Sequence, residues 1–237
     1  MMLILTLSFA CYLFAIRKRP LLYLGLVLQV AYMISRAAEL GRLPLVGPHD
    51  TLVFLTASIA AFAVPFGFAL KDRNRFFNVV SILAAVFTAF AMTTKQHNSP
   101  LPPVLKTFWF ECHVVLAFMS YALFGIAAIL GSLYLKDQQD SIEGLQYRAV
   151  LVGYCLFTLS MIFGGIWAYL AWGTYWVWTP KELWTSILWA FYTFYVHVRL
   201  RQWWMGKPTA VLGIAGFGVV MFTYLGVSLL MKSSHGF

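Results

Sequence analysis

Eight stretches of this chain are too long and too apolar to lie on the surface of a soluble domain. They cover residues 1–16, 21–38, 51–70, 76–94, 108–135, 149–170, 183–200 and 209–231. Runs of about 18 or more apolar residues match a bilayer core of about 30 Å, because an α-helix rises about 1.5 Å per residue. In lipid every backbone N–H and C=O must pair within its own segment, which leaves helices as the solution for such runs. The sequence therefore predicts an all-α fold: a polytopic integral membrane helical bundle of about eight transmembrane helices. Residues 1–237 read as one transmembrane domain. Composition agrees, with 61% hydrophobic and only 11% charged residues, against about 25% charged in soluble domains.

The net charge is +9. In a soluble protein that excess would suggest nucleic acid. Here the basic residues lie between the apolar runs, so they read as a topology signal and no nucleic-acid partner is expected. One set of connections carries Arg17, Lys18, Arg19, Lys71, Arg73, Arg75, Lys136, Arg148, Arg199, Arg201 and Lys207. The other side has Arg36, Arg42, Lys95, Lys106, Lys181 and Lys232. The richer set marks the cytoplasm, which puts both termini outside. A multi-pass protein of the plasma (inner) membrane follows, with its functional face periplasmic or extracytoplasmic. The first run is no cleavable leader on this reading, since its positive cluster follows the apolar stretch.

Cys11, Cys112 and Cys155 form neither CxxC nor CxxCH, so the chain shows no thiol redox pair and no covalent haem site of its own. No P-loop is visible. The most unusual segment is outer and spans 167–189, where six of the nine tryptophans fall. Trp172, Trp176 and Trp178 crowd a short link between two runs, flanked by Trp167 and Trp184. Large aromatic faces stack on a planar macrocycle and keep water from it. Lys181 is placed to neutralise a haem propionate, and Glu182 to hold Lys181. The plainer alternative is an interfacial aromatic belt, with Thr179, Pro180 and Glu182 as an ordinary helix start.

There are five histidines: His49, His97, His113, His197 and His235. Imidazole is a common ligand of haem iron. His113 lies near the outer end of the fifth run and His235 just past the outer end of the eighth. Solvated boundary histidines would occupy the same positions. His197 is deep, roughly 20 Å along the seventh run, and an ionisable group in a span is a functional candidate. Arg199 beside it is placed to snorkel to the inner headgroups.

These residues carry a resemblance. "WGTYWVWTPKELW" (172–184) resembles the tryptophan-rich WWD signature, W-G-x-x-W-x-W-D-P-K-E-x-W, of the CcsA (ResC) family of cytochrome c biogenesis. "GRLPLVGPHDTLVF" (41–54) is similar to the family's G-x-x-P-L loop. "WFECHVVLAFMSYALF" (109–124) resembles its H-V-x-x-x-x-x-S-Y-A element. "FYVHVRL" (194–200) and "LGVSLLMKSSHGF" (225–237) are similar to its Y-x-H-x-R ending and C-terminal histidine segment. About 200 residues align in order. Thr179 stands where the signature has Asp.

The resemblance implies haem b, held non-covalently and in transit. It implies His113 and His235 as axial ligands on the outer face and His197 as a ligand within the membrane. Trp167, Trp172, Gly173, Trp176, Trp178, Lys181, Glu182 and Trp184 would form the platform. The implied work is presentation of haem for covalent attachment to apocytochrome c. Implied partners are a CcsB (ResB)-type membrane subunit, apocytochrome c and a thiol-reducing thioredoxin-like protein, besides the lipid bilayer. Whether the chain is an enzyme depends on that complex. Three other readings stay open: a CcmC-like haem chaperone, a haem-sensing regulator, and a structural or quinone-binding respiratory subunit with the tryptophans as belt.

Overall fold

The computed structural model describes residues 1–230. Among them each apolar run has become a helix, and no strand is present. The helices are α1 (Met2–Phe14), α2 (Pro20–Leu40), α3 (Pro48–Phe68), α4 (Arg73–Thr93), α5 (Phe108–Asp137), α6 (Asp140–Trp172), α7 (Pro180–Arg199) and α8 (Lys207–Met221). A π-helical turn, Phe222–Gly226, and the short α9, Val227–Leu230, continue α8. Proline sits in the first turn of α2, α3, α7 and α8, where its missing N–H would have had no helical partner.

Among the described residues six helices are long and apolar enough to cross a membrane: α2 to α6, and α8 with its π turn. The chain is thus a multi-pass membrane protein. The 13 residues of α1 reach only about 20 Å. With 20 residues α7 has the length, but its threonines, tyrosines and polar ends make it less apolar.

The chain forms two compact units, Met1–Pro100 and Leu101–Phe237. In the first, each of α1 to α4 packs on its neighbour in sequence, and α1 closes the ring against α4. A buried polar network ties α2, α3 and the segment after α4 together. Arg36 Nε donates to Asp50 Oδ1 at 3.0 Å, with both side chains buried. Arg36 and Arg42 both donate to the His97 carbonyl. His49 is equally buried. Its Nδ1 lies 2.8 Å from the Ala91 carbonyl, which can only accept, so Nε2 accepts from the Tyr32 hydroxyl at 2.7 Å. The His49 ring and the His97 carbonyl are thereby parts of this network.

In the second unit α5 runs through the middle, packed along α6 and against α8, while α7 packs on α8 and more sparsely on α6. Arg199 does not snorkel. Its guanidinium is mostly buried and pairs with Glu143 in the first turn of α6, with Nη2 to Oε2 at 2.7 Å, over the Tyr147 ring. A buried carboxylate draws the guanidinium inward more strongly than distant headgroups would.

Candidate functional site

At 33 residues α6 is about 50 Å long, well beyond the roughly 30 Å of a bilayer core. Its far end leads directly into the tryptophan segment. Gly173 stops the helix in the left-handed region at φ 74°, with its N–H on the Tyr169 carbonyl at 2.8 Å. Glycine takes this conformation without strain. The role seen for Gly173 is thus to turn the chain.

Six residues later, at Thr179, the chain enters α7 through a capping box. Thr179 Oγ1 accepts from the Glu182 N–H, and Glu182 Oε2 accepts from the Thr179 N–H at 2.8 Å. The same Oε2 also accepts from the Val177 N–H at 3.1 Å. One carboxylate oxygen therefore holds the N–H groups of the residues on both sides of Trp178. Trp178 sits at φ 59°, a conformation that costs a bulky residue about 1–3 kcal/mol. The result is an indole 68% exposed. This corrects the expected Glu182–Lys181 pair: the backbone N–H groups of the helix start occupy Glu182. Lys181, half-buried, has no carboxylate partner among the described residues. It stands in the first turn, ahead of the apolar run, and partial burial pulls its ammonium below the usual lysine range.

The tryptophans divide into anchors and presented faces. Trp167 is buried at 8% exposure, donates Nε1–H to the Val104 carbonyl at 2.8 Å, and packs on Phe110 and Trp172. Trp184 packs on Phe222 of the π turn at 4.4 Å. Trp172 and Trp178 are exposed, and Trp176 is half-buried. Tyr175, which the sequence reading passed over, stacks on Tyr169 at 4.6 Å. Where α6 and α7 diverge, Met161, Ile162, Gly165, Tyr175, Trp176 and Trp189 help line an open apolar cleft of about 410 Å³.

His113 lies in the second turn of α5. Its Nδ1 is 2.8 Å from the Ser160 carbonyl on α6. A carbonyl only accepts, so Nδ1 carries the proton and Nε2 keeps a lone pair with no partner among the described residues. The ring lies over Gly164, where an added Cβ would come within 2.6 Å of Nδ1. The next residue, Gly165, borders the Tyr175 backbone. A single stretch of α6 thus connects the imidazole to the tryptophan segment. The signal in the sequence is the Gly164-Gly165 pair inside an apolar helix, which marks close approach of a neighbour.

His197 is not brought to this end. It lies about 25 Å along α7 from Pro180, exposed on the unit's surface, with Nδ1 on the Thr193 carbonyl at 2.7 Å and Nε2 free. His235 lies outside the described residues.

Comparison with known proteins gives a consistent picture. The family model described as cytochrome C assembly protein matches residues 46–235. The chain belongs to that family. It is similar to the "Cytochrome c biogenesis protein CcsA" of Prochlorococcus marinus (strain NATL1A), at 30% identity over 86% of this chain and 79% of the relative. The protein of that name from Guillardia theta is 31% identical, over 86% of this chain and 79% of its own length. That from Chlamydomonas reinhardtii is 30% identical over 89% of this chain, which spans 65% of the longer algal protein.

Proposed function

We propose that this family member serves cytochrome c biogenesis by binding haem at the tryptophan segment and presenting it for attachment to apocytochrome c. The observation that carries the reading is the α6 stretch, where Gly164 meets the His113 ring and Gly165 meets Tyr175 beside Trp176. It links an imidazole with a free Nε2 to exposed aromatic faces and an unpaired cation.

The residues present fit haem. His113 Nε2 is a free donor for iron. Trp172, Trp176 and Trp178 offer faces that cover a macrocycle and exclude water. Lys181 is free to pair with a propionate. Trp167 braces Trp172 and Trp184 ties the start of α7 to Phe222, while Glu182 fixes Trp178 and Gly173 sets the turn. Bound haem supplies the vinyl groups to which cysteine thiols of apocytochrome c add. The group held is haem b, non-covalent and in transit, with His235 as the second ligand. By charge distribution the tryptophan segment lies on the extracytoplasmic side of the plasma (inner) membrane. His197, exposed and far along α7, serves a deeper haem position shared with a CcsB (ResB)-type subunit, and a thioredoxin-like protein keeps the acceptor thiols reduced.

The test is an absorption spectrum of the detergent-purified full chain, with and without a co-expressed CcsB-type partner, beside His113→Ala and His235→Ala. A haem band that falls in both variants supports the reading. Full haem content in both would remove the ligand assignment. No haem under any condition would leave a structural or quinone-binding subunit with an aromatic belt.

A further inference from the structure

We propose that Ser160 and Gly164 of α6 form a slot that fixes the ring tautomer and direction of His113, and are positioning residues for that ligand. The proposal rests on the reading of His113 as an iron ligand. Ser160 is fully buried. Its carbonyl accepts Nδ1–H at 2.8 Å. Its Oγ stands 3.1 Å from the same nitrogen and donates to the His113 carbonyl at 2.8 Å. Both ends of residue 113, ring and main chain, are therefore held by one residue of the neighbouring helix.

Gly164 makes this possible. In an α-helix the carbonyl of residue 160 is overhung by the side chain four positions on. Here that position has none, and the imidazole lies where the side chain would be. An alanine Cβ would stand 2.6 Å from Nδ1, 2.9 Å from Cε1 and 3.2 Å from Cγ. A planar ring met face-on has no flexible end to move aside. It would have to leave the Ser160 carbonyl. Freed from that acceptor, the imidazole exchanges between tautomers, and the one protonated at Nε2 has no lone pair there for iron. Partners of a ligating histidine's second nitrogen tune its donor strength and direction, and their loss costs about 10- to 100-fold in metal affinity.

The first measurement reads the unsubstituted ring: nitrogen-15 NMR of histidine-labelled full chain without haem, with the His113 signal assigned by its loss in His113→Ala. The slot holds Nδ1 protonated and Nε2 bare. An Nε2-protonated or exchanging ring overturns the proposal, whatever haem does. The second measurement is haem titration of Gly164→Ala, followed by the low-spin spectrum. Affinity should fall by about 10- to 100-fold, and millimolar imidazole should restore the low-spin spectrum by replacing the misdirected ring. An unchanged affinity and spectrum in folded Gly164→Ala overturns the slot. An unchanged spectrum in His113→Ala instead removes the ligand reading beneath it, while the tautomer measurement still decides the slot.

Discussion

Replacing Asp50 by leucine should be among the most damaging single changes in the first unit. Arg36 is fully buried, and a guanidinium is a permanent charge. Asp50→Leu removes both its counter-charge and the acceptor 3.0 Å from Nε. What remains is Glu39, exposed and 3.7 Å from Nη1, which contributes little, and a 3.4 Å contact to the His97 carbonyl. Breaking a buried pair from one side costs about 3–5 kcal/mol. The double variant Arg36→Met/Asp50→Leu should recover most of that loss. Asp50 Oδ2 and Arg36 Nη1 already lack hydrogen-bond partners, so the pair carries a desolvation cost that apolar side chains would not. The assay is denaturation in mixed micelles followed by two signals. All nine tryptophans lie in the second unit, so indole fluorescence follows that unit and far-UV circular dichroism follows every helix. A loss in the dichroism midpoint that fluorescence does not share would place the damage in the first unit. A single variant as stable as the parent, or a double variant no better than the single, would refute the reasoning.

Four further outcomes are expected. Trp167→Ala should cost about 3–5 kcal/mol of stability in the same denaturation assay, because it empties a buried site. Trp178→Gly should raise stability by about 1 kcal/mol by relieving the left-handed strain, yet weaken haem binding in titration; an effect on stability alone would take Trp178 out of the site. Thr179→Asp should be tolerated, since aspartate caps as well as threonine, whereas Glu182→Ala should lose about 1 kcal/mol with the capping box and also lower haem affinity by releasing Trp178. Lys181 has a folded pKa below its usual 10.5, so between those two values the unfolded chain binds more protons and stability rises with pH. A pH series on Lys181→Met should lack that alkaline rise.

Much of the molecule was legible in the residues alone. The apolar runs gave each helix, and most ends to within about three residues, because hydrocarbon thickness and backbone pairing leave few choices; α6 is the exception, since it begins at Asp140 within the polar stretch ahead of its run. The Thr179-Pro180-Lys181-Glu182 run announced a helix start, and the structure has the full capping box. The tryptophan signature pointed to the family. The partners of individual charges were not legible. Glu182 clamps backbone N–H groups and not Lys181, and Arg199 turns inward to Glu143, 56 residues earlier. Ser160 is one serine among others in apolar runs, and the Gly164-Gly165 pair marks a close approach without saying which neighbour makes it.

Hydrophobic length, proline and glycine punctuation and the spacing of the tryptophans act along the chain, so the sequence by itself determined the helices and most of their ends and singled out the tryptophan segment. Which nitrogen of His113 holds its proton, which indoles face out and which arginine is buried depend on how two helices approach each other. A carbonyl is reachable only where the helix beside it lacks a side chain, and only tertiary packing decides what fills that gap.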